Sequence, residues 1–261
     1  MQELRTAAGT SKNVRWLDCT KIVGTDCYCD DDAIKEINEL IDNAECDIEN
    51  RGNSTSAPAI HFFDNGNYHY MSKIWTDRVQ EPFTLIVFDH HPDMQPPRFG
   101  GILSCGGWVK EVLDNNKFVQ NVIIIGVKDE LVETVREELS QSGETSILEK
   151  VTFIKESELN TLSSIICSDY VNVFSSNLYI SIDKDALSPT YAATNWDQGS
   201  LTLDALKNCI TTLAAGRKIL GIDICGERAH DFEGDEHHTV QEADTLNNSL
   251  NRELVEFLNN L

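Results

Sequence analysis

Short runs rich in β-branched and aromatic residues alternate along this chain with stretches whose apolar positions recur every three or four residues. The first kind predicts strands at 14–17, 59–63, 84–88, 121–127, 151–154, 178–182 and 219–224. The second predicts helices. Ala33, Ile34, Ile37, Leu40 and Ile41 share one helical face, as do Leu131, Val132, Val135 and Leu139. A third set, Leu203, Leu206, Ile210 and Leu213, follows Thr202, a residue suited to cap a first turn. The pattern returns in Leu246, Leu250, Leu254, Phe257 and Leu261. Strands apolar on both faces and alternating with helices predict an α/β fold: a three-layer, doubly wound, mostly parallel sheet with helices on both faces. The polar segment 43–56 reads as a loop, and no linker or internal repeat divides the chain. One α/β domain over residues 1–261 is expected.

The polar residues that interrupt this pattern fall at strand ends, where working side chains gather in open α/β sheets. The run 84–88 leads directly into Asp89-His90-His91-Pro92-Asp93. Positions 89, 91 and 93 share parity, so in an extended segment they face one way and His90 faces the other. Pro92 keeps the segment from continuing as helix. The run 178–182 leads into Asp183-Lys184-Asp185, again two acids of one parity. Such a density of anions must be compensated. Withdrawing one ionised carboxylate from water costs several kcal/mol, and like charges raise each other's pKa. Either some of the acids are protonated or cations sit among them. Two divalent ions roughly 3.5–4 Å apart would balance the carboxylates. Oxygen-rich ligation with imidazoles suits a hard or borderline ion such as manganese. A lone Asp-x-Asp after a strand is ordinarily a turn or a helix cap; the two motifs together favour the metal.

Composition narrows the partners. The 43 acidic and 21 basic residues leave a net charge of −22, which argues against nucleic acid and favours the approach of a cation. No apolar stretch is long enough for a membrane span, and Met1-Gln2-Glu3-Leu4-Arg5 opens no signal peptide. The eight cysteines form no Cys-x-x-Cys pair, and several, Cys167 and Cys225 among them, lie in apolar runs as small hydrophobes. A reduced, cytoplasmic protein is expected.

The run 59–63 is followed by Gly66-Asn67-Tyr68-His69-Tyr70. On this segment and the two before it, the chain resembles the ureohydrolase (arginase–agmatinase) family. Members of that family present a Gly-Gly-Asp-His-Ser-like segment, then Asp-Ala-His-x-Asp, then Ser-x-Asp-x-Asp-x-x-Asp-Pro. Here the second is Asp89-His90-His91-Pro92-Asp93 and the third is Ser181-Ile182-Asp183-Lys184-Asp185-Ala186-Leu187-Ser188-Pro189, in the same order. The resemblance implies a site for two Mn2+ (or other divalent ions) held by His69, Asp89, His91, Asp93, Asp183 and Asp185. Asp89 and Asp183 would bridge; His69 and Asp93 would complete one position, His91 and Asp185 the other. It also implies hydrolysis of a carbon–nitrogen bond in a guanidino or amidine-type compound, releasing urea or an analogue, by attack of a metal-bridging hydroxide. Asp93 would pass a proton to the leaving amine. The substrate would be a small cationic guanidino compound or arginine in a peptide. A metal-dependent amidohydrolase of deacetylase type and a metal-binding relative without turnover are the alternatives, and the C-terminal helix leaves room for a homo-oligomer interface.

The chain also departs from that pattern. Tyr68 stands where the family has Asp, so His69 needs another hydrogen-bond partner. Ser188 replaces the third acid of the last motif. Ser104-Cys105-Gly106-Gly107 puts Cys105 where members carry His, on the substrate side, and a thiol titrates above an imidazole. Asp223-Ile224-Cys225-Gly226-Glu227 carries its acid one position later than the family's Asp-x-x-Glu. Glu227 is expected to hold the guanidinium; otherwise it pairs with Arg228 or another base. Trp196, on a loop after the third motif, either stacks on a planar cation or covers the core. The segment 230–238, rich in Asp, Glu and His, reads as a solvated loop.

Overall fold

Six of the seven predicted strands pair side by side in a computed structural model that describes residues 14–50, 58–96, 100–166 and 177–261. They are β2 (Ala59–Phe62), β3 (Phe83–Phe88), β5 (Val119–Val127), β6 (Val151–Lys155), β7 (Asn177–Asp183) and β8 (Lys218–Cys225). All neighbours run parallel, in the order β2-β8-β7-β3-β5-β6. Period-two alternation divides the core between the two faces. Leu85, Val87, Val122 and Ile124 pack with the helices Asp31–Asn50, Met71–Thr76, Trp108–Asn115 and Asp129–Ser142. Ile86, Phe88, Ile123, Ile125, Ile180 and Ile182 pack with Leu203–Ala214 and Val240–Leu258 on the other side. Helices on both faces bury β3 throughout and β7 almost throughout, which explains runs without polar alternation.

Strand order reverses between β3 and β7: the chain proceeds from β3 outward through β5 and β6, then returns to place β7 on the opposite side of β3. Ligands bind beyond the carboxyl ends of strands at such a switch point. Register aligns Phe88 with Ile182 and Asp183 with Cys225, so the chain leaves β3, β7 and β8 at one level.

Several expectations are corrected. Residues 14–17 form no strand; Leu17 is satisfied by packing against the core instead of by pairing. The helix that begins at Asp31 continues to Asn50, through much of the predicted loop 43–56, whose residues 51–56 lie outside the described residues. Asp42 and Glu45 of that helix are tied to Arg78 at 2.5 and 2.6 Å, a tertiary contact that supports its polar second half. The last helix ends at Leu258, leaving Leu261 exposed. A two-residue antiparallel pair, β1 (Tyr28–Cys29) with β4 (Leu103–Ser104), is too short to leave a sequence signal. Among the described residues no helix is long and apolar enough to cross a membrane.

Candidate metal centre

The three ends at the switch point deliver Asp89 from β3, Asp183 from β7 and Cys225 from β8. A 3-10 turn at Gly66–Tyr68, capped by the Asn65 side chain on the Asn67 N–H, brings His69 across the same opening. His69 Nδ1 lies 3.0 Å from Asp89 Oδ2, 3.0 Å from Asp93 Oδ2 and 3.5 Å from Asp183 Oδ2. It is buried and aligned for a hydrogen bond with none of them. One imidazole nitrogen facing three carboxylate oxygens is a ligand set more than a hydrogen-bonded pair, and it fits a divalent cation. The other ring nitrogen, Nε2, is 2.9 Å from Ser181 Oγ, which contacts Ser72 Oγ at 2.9 Å. Ser181 therefore does for His69 what Tyr68 does not.

The segment after β3 does not stay extended. Asp93 has φ +48°, a left-handed conformation uncommon for a residue with a side chain. Trp108 Nε1 donates to Asp93 Oδ2 at 2.7 Å, and the Val109 N–H donates to the Asp93 carbonyl at 3.1 Å. These contacts hold the turn that puts Asp93 beside Asp89. His90 faces away, its Nδ1 3.3 Å from the Gly126 carbonyl oxygen.

His91 anchors the other half. Its Nδ1 is 3.0 Å from Asp185 Oδ2 and 3.5 Å from Asp89 Oδ1. Asp89 thus turns one oxygen to each imidazole. Asp183 turns Oδ2 toward His69, while its Oδ1 accepts the Asp185 N–H at 3.0 Å. His91 Nε2 lies 2.8 Å from Asp197 Oδ1, and Lys128 donates to Asp197 Oδ2 at 3.1 Å. Burial works to raise the Asp197 carboxyl, but the His91 and Lys128 hydrogen bonds bring it down to about 2.

The electrostatics ask for cations. Burial raises Asp183 and Asp185, and a neighbouring acid raises each further: Asp185 acts on Asp183, and Asp89 on Asp185. Burial would lower the imidazole of His91, yet Asp185 and Asp89 lift it above its ordinary value. Protons collect where positive charge is wanted.

The arginase family model matches residues 67–239, most of the chain and all of these ligand-type side chains. The chain belongs to the arginase family. An uncharacterised protein of Thermotoga maritima is 28% identical to it over 170 residues, covering 64% of this chain and 58% of that one. The agmatine ureohydrolase of Thermoplasma volcanium superposes with a TM-score of 0.61 at 18% identity, over 86% of this chain and 68% of that one. A Mn2+-containing formiminoglutamase of Trypanosoma cruzi gives 0.53 at 14% identity, over 74% and 63%. An arginase from Medicago truncatula gives 0.51 at 17% identity, over 76% and 57%. At these identities the likeness to solved structures is one of fold. The match to the Thermotoga maritima relative covers less than two thirds of that protein's length.

Where β8 ends, the acid stands one position later than the resemblance implies, at Glu227. Gly226 has φ +88°, and a Cβ there would lie 2.3 Å from Asp183 Oδ1. No acid can therefore stand at position 226. Glu227, 7% exposed, accepts hydrogen bonds on Oε1 from Lys184 Nζ at 2.5 Å and Asn251 Nδ2 at 2.7 Å. Its base is thus a buried lysine of the third motif. Trp196 is 41% exposed, donates to Asn67 Oδ1 at 3.0 Å and stands edge-on to His91 with ring centres 5.8 Å apart. Cys105 is half-buried; burial, then the charge of nearby Asp93, raises its thiol. Its N–H donates to the Cys27 carbonyl at 2.9 Å.

Sequence reasoning missed four contributors. Trp108, Lys184 and Asp197 carry no periodic signal. Cys225 is no inert hydrophobe: its thiol donates to Asp183 Oδ2 at 3.1 Å. Among the described residues, segment 230–238 adds nothing to these ligand clusters.

Proposed function

We propose that this chain is a two-metal hydrolase that cleaves a carbon–nitrogen bond of a guanidino or amidine-type compound and releases urea or an analogue. The observation that carries the reading is His69 Nδ1, buried without a hydrogen bond among oxygens of Asp89, Asp93 and Asp183. His69, Asp89, Asp93 and Asp183 would hold one cation; Asp89, His91 and Asp185 would hold the second. Manganese suits the oxygen and nitrogen donors of these six side chains. When bound, such a pair supplies the charge that lets water ionise near neutral pH.

The chain's own groups do the rest. Trp108 fixes Asp93 by a hydrogen bond to Oδ2, and Asp93 is suited to carry a proton to the leaving amine. Asp197 holds His91 in orientation through its far nitrogen. The exposed Trp196 ring beside His91 offers a face to a planar cation. The net charge of −22 draws a cation, whether a free guanidino compound or arginine in a peptide.

One observation favours a second reading, hydrolysis of an amide by a metal-dependent amidohydrolase of deacetylase type, which needs no carboxylate partner for a guanidinium. Glu227, the acid expected in that role, already has Lys184 and Asn251.

Both readings face one experiment. The protein is stripped with chelator, reloaded with manganese and analysed for metal, then assayed for urea against guanidino compounds and arginine peptides. About two equivalents of metal and urea from at least one guanidine are expected. Less than about half an equivalent would refute the two-metal site. Metal with ammonia or amine release but no urea would transfer the assignment to the second reading. Asp183→Asn is expected to lose both metal and turnover, and unchanged activity would contradict its role.

A further inference from the structure

The geometry points to Cys225 as a sulfur ligand on the His69 side of the centre, an inference that rests on reading the cluster as a metal site. Cys225 closes β8 in register with Asp183 and is 1% exposed. His69, Asp183 and Cys225 each offer one donor atom, all within 4.8 Å of one another. The thiol lies 3.1 Å from Asp183 Oδ2, the same oxygen that faces His69 Nδ1 at 3.5 Å.

Two independent features make the sulfur part of the site. Gly226, directly after it, brings the backbone so close to Asp183 and Lys184 that even a Cβ would not fit. The chain end is thereby pressed against the ligand loop. His69 Nδ1, meanwhile, is a buried, unpartnered nitrogen aimed at the same oxygens. A cation drawn to Asp183 and His69 meets the sulfur as a further donor. The S–H bond breaks as the metal–sulfur bond forms, and the proton leaves to solvent; no electron changes hands.

The two halves of the centre then differ in chemistry. The cluster of Asp89, His91 and Asp185 offers only oxygen and nitrogen. A thiolate beside His69 would favour zinc, cobalt(II) or iron(II) over manganese on that side. The centre would therefore take one softer ion beside one harder one.

Cobalt(II) makes this visible, because a thiolate–cobalt bond absorbs strongly in the near ultraviolet. The full chain is chelator-stripped, loaded with cobalt, counted for metal and scanned. Wild type and Cys105→Ser are expected to show the band; Cys225→Ser is expected to bind cobalt without it. With zinc and manganese in competition, Cys225→Ser should lose about tenfold in zinc preference. X-ray absorption of the zinc-loaded wild type, which needs no variant to fold, should show a sulfur neighbour at about 2.3 Å. Metal bound with only oxygen and nitrogen neighbours, or a band that survives in Cys225→Ser, would overturn the sulfur ligand and leave the two-metal reading standing. No metal bound at all would overturn both.

Discussion

Lys184 stands between two acids of the third motif, yet its side chain points away from them into the protein. It is wholly buried, and its ammonium meets Glu227 at 2.5 Å while Asn251 supports the same oxygen. Burial alone would raise the Glu227 carboxyl, but Lys184 holds it below its ordinary 4.5. Deleting one partner of a buried pair strands the other charge, at about 3–5 kcal/mol. Lys184→Met is therefore expected to lower unfolding free energy by about that amount, read by urea denaturation in chelator so that metal affinity does not enter. Lys184→Met with Glu227→Gln should recover most of the loss, since no unpaired charge is left. A single variant within about 1 kcal/mol of wild type would mean that the pair is effectively solvated.

At the scale of elements, strand ends position the site and helix ends secure the strands. Thr202 opens the helix Leu203–Ala214, its hydroxyl accepting the Ala205 N–H at 3.2 Å. That helix packs Leu206 and Ile210 on the face that carries Ile180 and Ile182 of β7. Losing a cap costs about 1 kcal/mol, whereas removing a buried leucine costs about 2–5 kcal/mol. Thr202→Ala should thus destabilise by about 1 kcal/mol and Thr202→Ser by much less. Equal losses from the two, measured by denaturant titration, would rule out the hydroxyl as the cause.

For the whole molecule the governing quantity is the set of four carboxylates, Asp89, Asp93, Asp183 and Asp185, buried together at the strand ends. Asp183 and Asp185 are raised above their ordinary 3.8 by burial and by neighbouring acids. A group whose folded pKa is raised binds more protons folded than unfolded, so its stabilisation is complete below the unfolded pKa and is lost as pH rises. Metal-free protein should accordingly lose stability as pH climbs from about 4 upward through these raised values. Divalent metal replaces those protons, so the loaded protein should show a flatter profile and its largest rise in melting temperature at the alkaline end. A metal-induced rise that is equal at pH 5 and pH 8 would be evidence against these carboxylates as ligands.

The linear pattern was enough for the sheet and its layers, because strands buried on both faces must be apolar throughout and helices must carry a stripe. It was also enough to mark Asp89, His91, Asp93, Asp183 and Asp185, because charges directly behind an apolar run have nowhere to go but a strand end. Parity was right about His90 for a local reason, but Asp93 reaches the cluster through a left-handed turn held by Trp108, fifteen residues on. The partners that complete the centre come from remote segments: Ser181 for His69, Asp197 for His91, Lys184 for Glu227. Their identities carry no periodicity, and only folding brings them within hydrogen-bonding distance. Cys225 makes the point most plainly. In sequence it is one more apolar residue at the end of a strand; only the register of β7 with β8 puts its sulfur against Asp183.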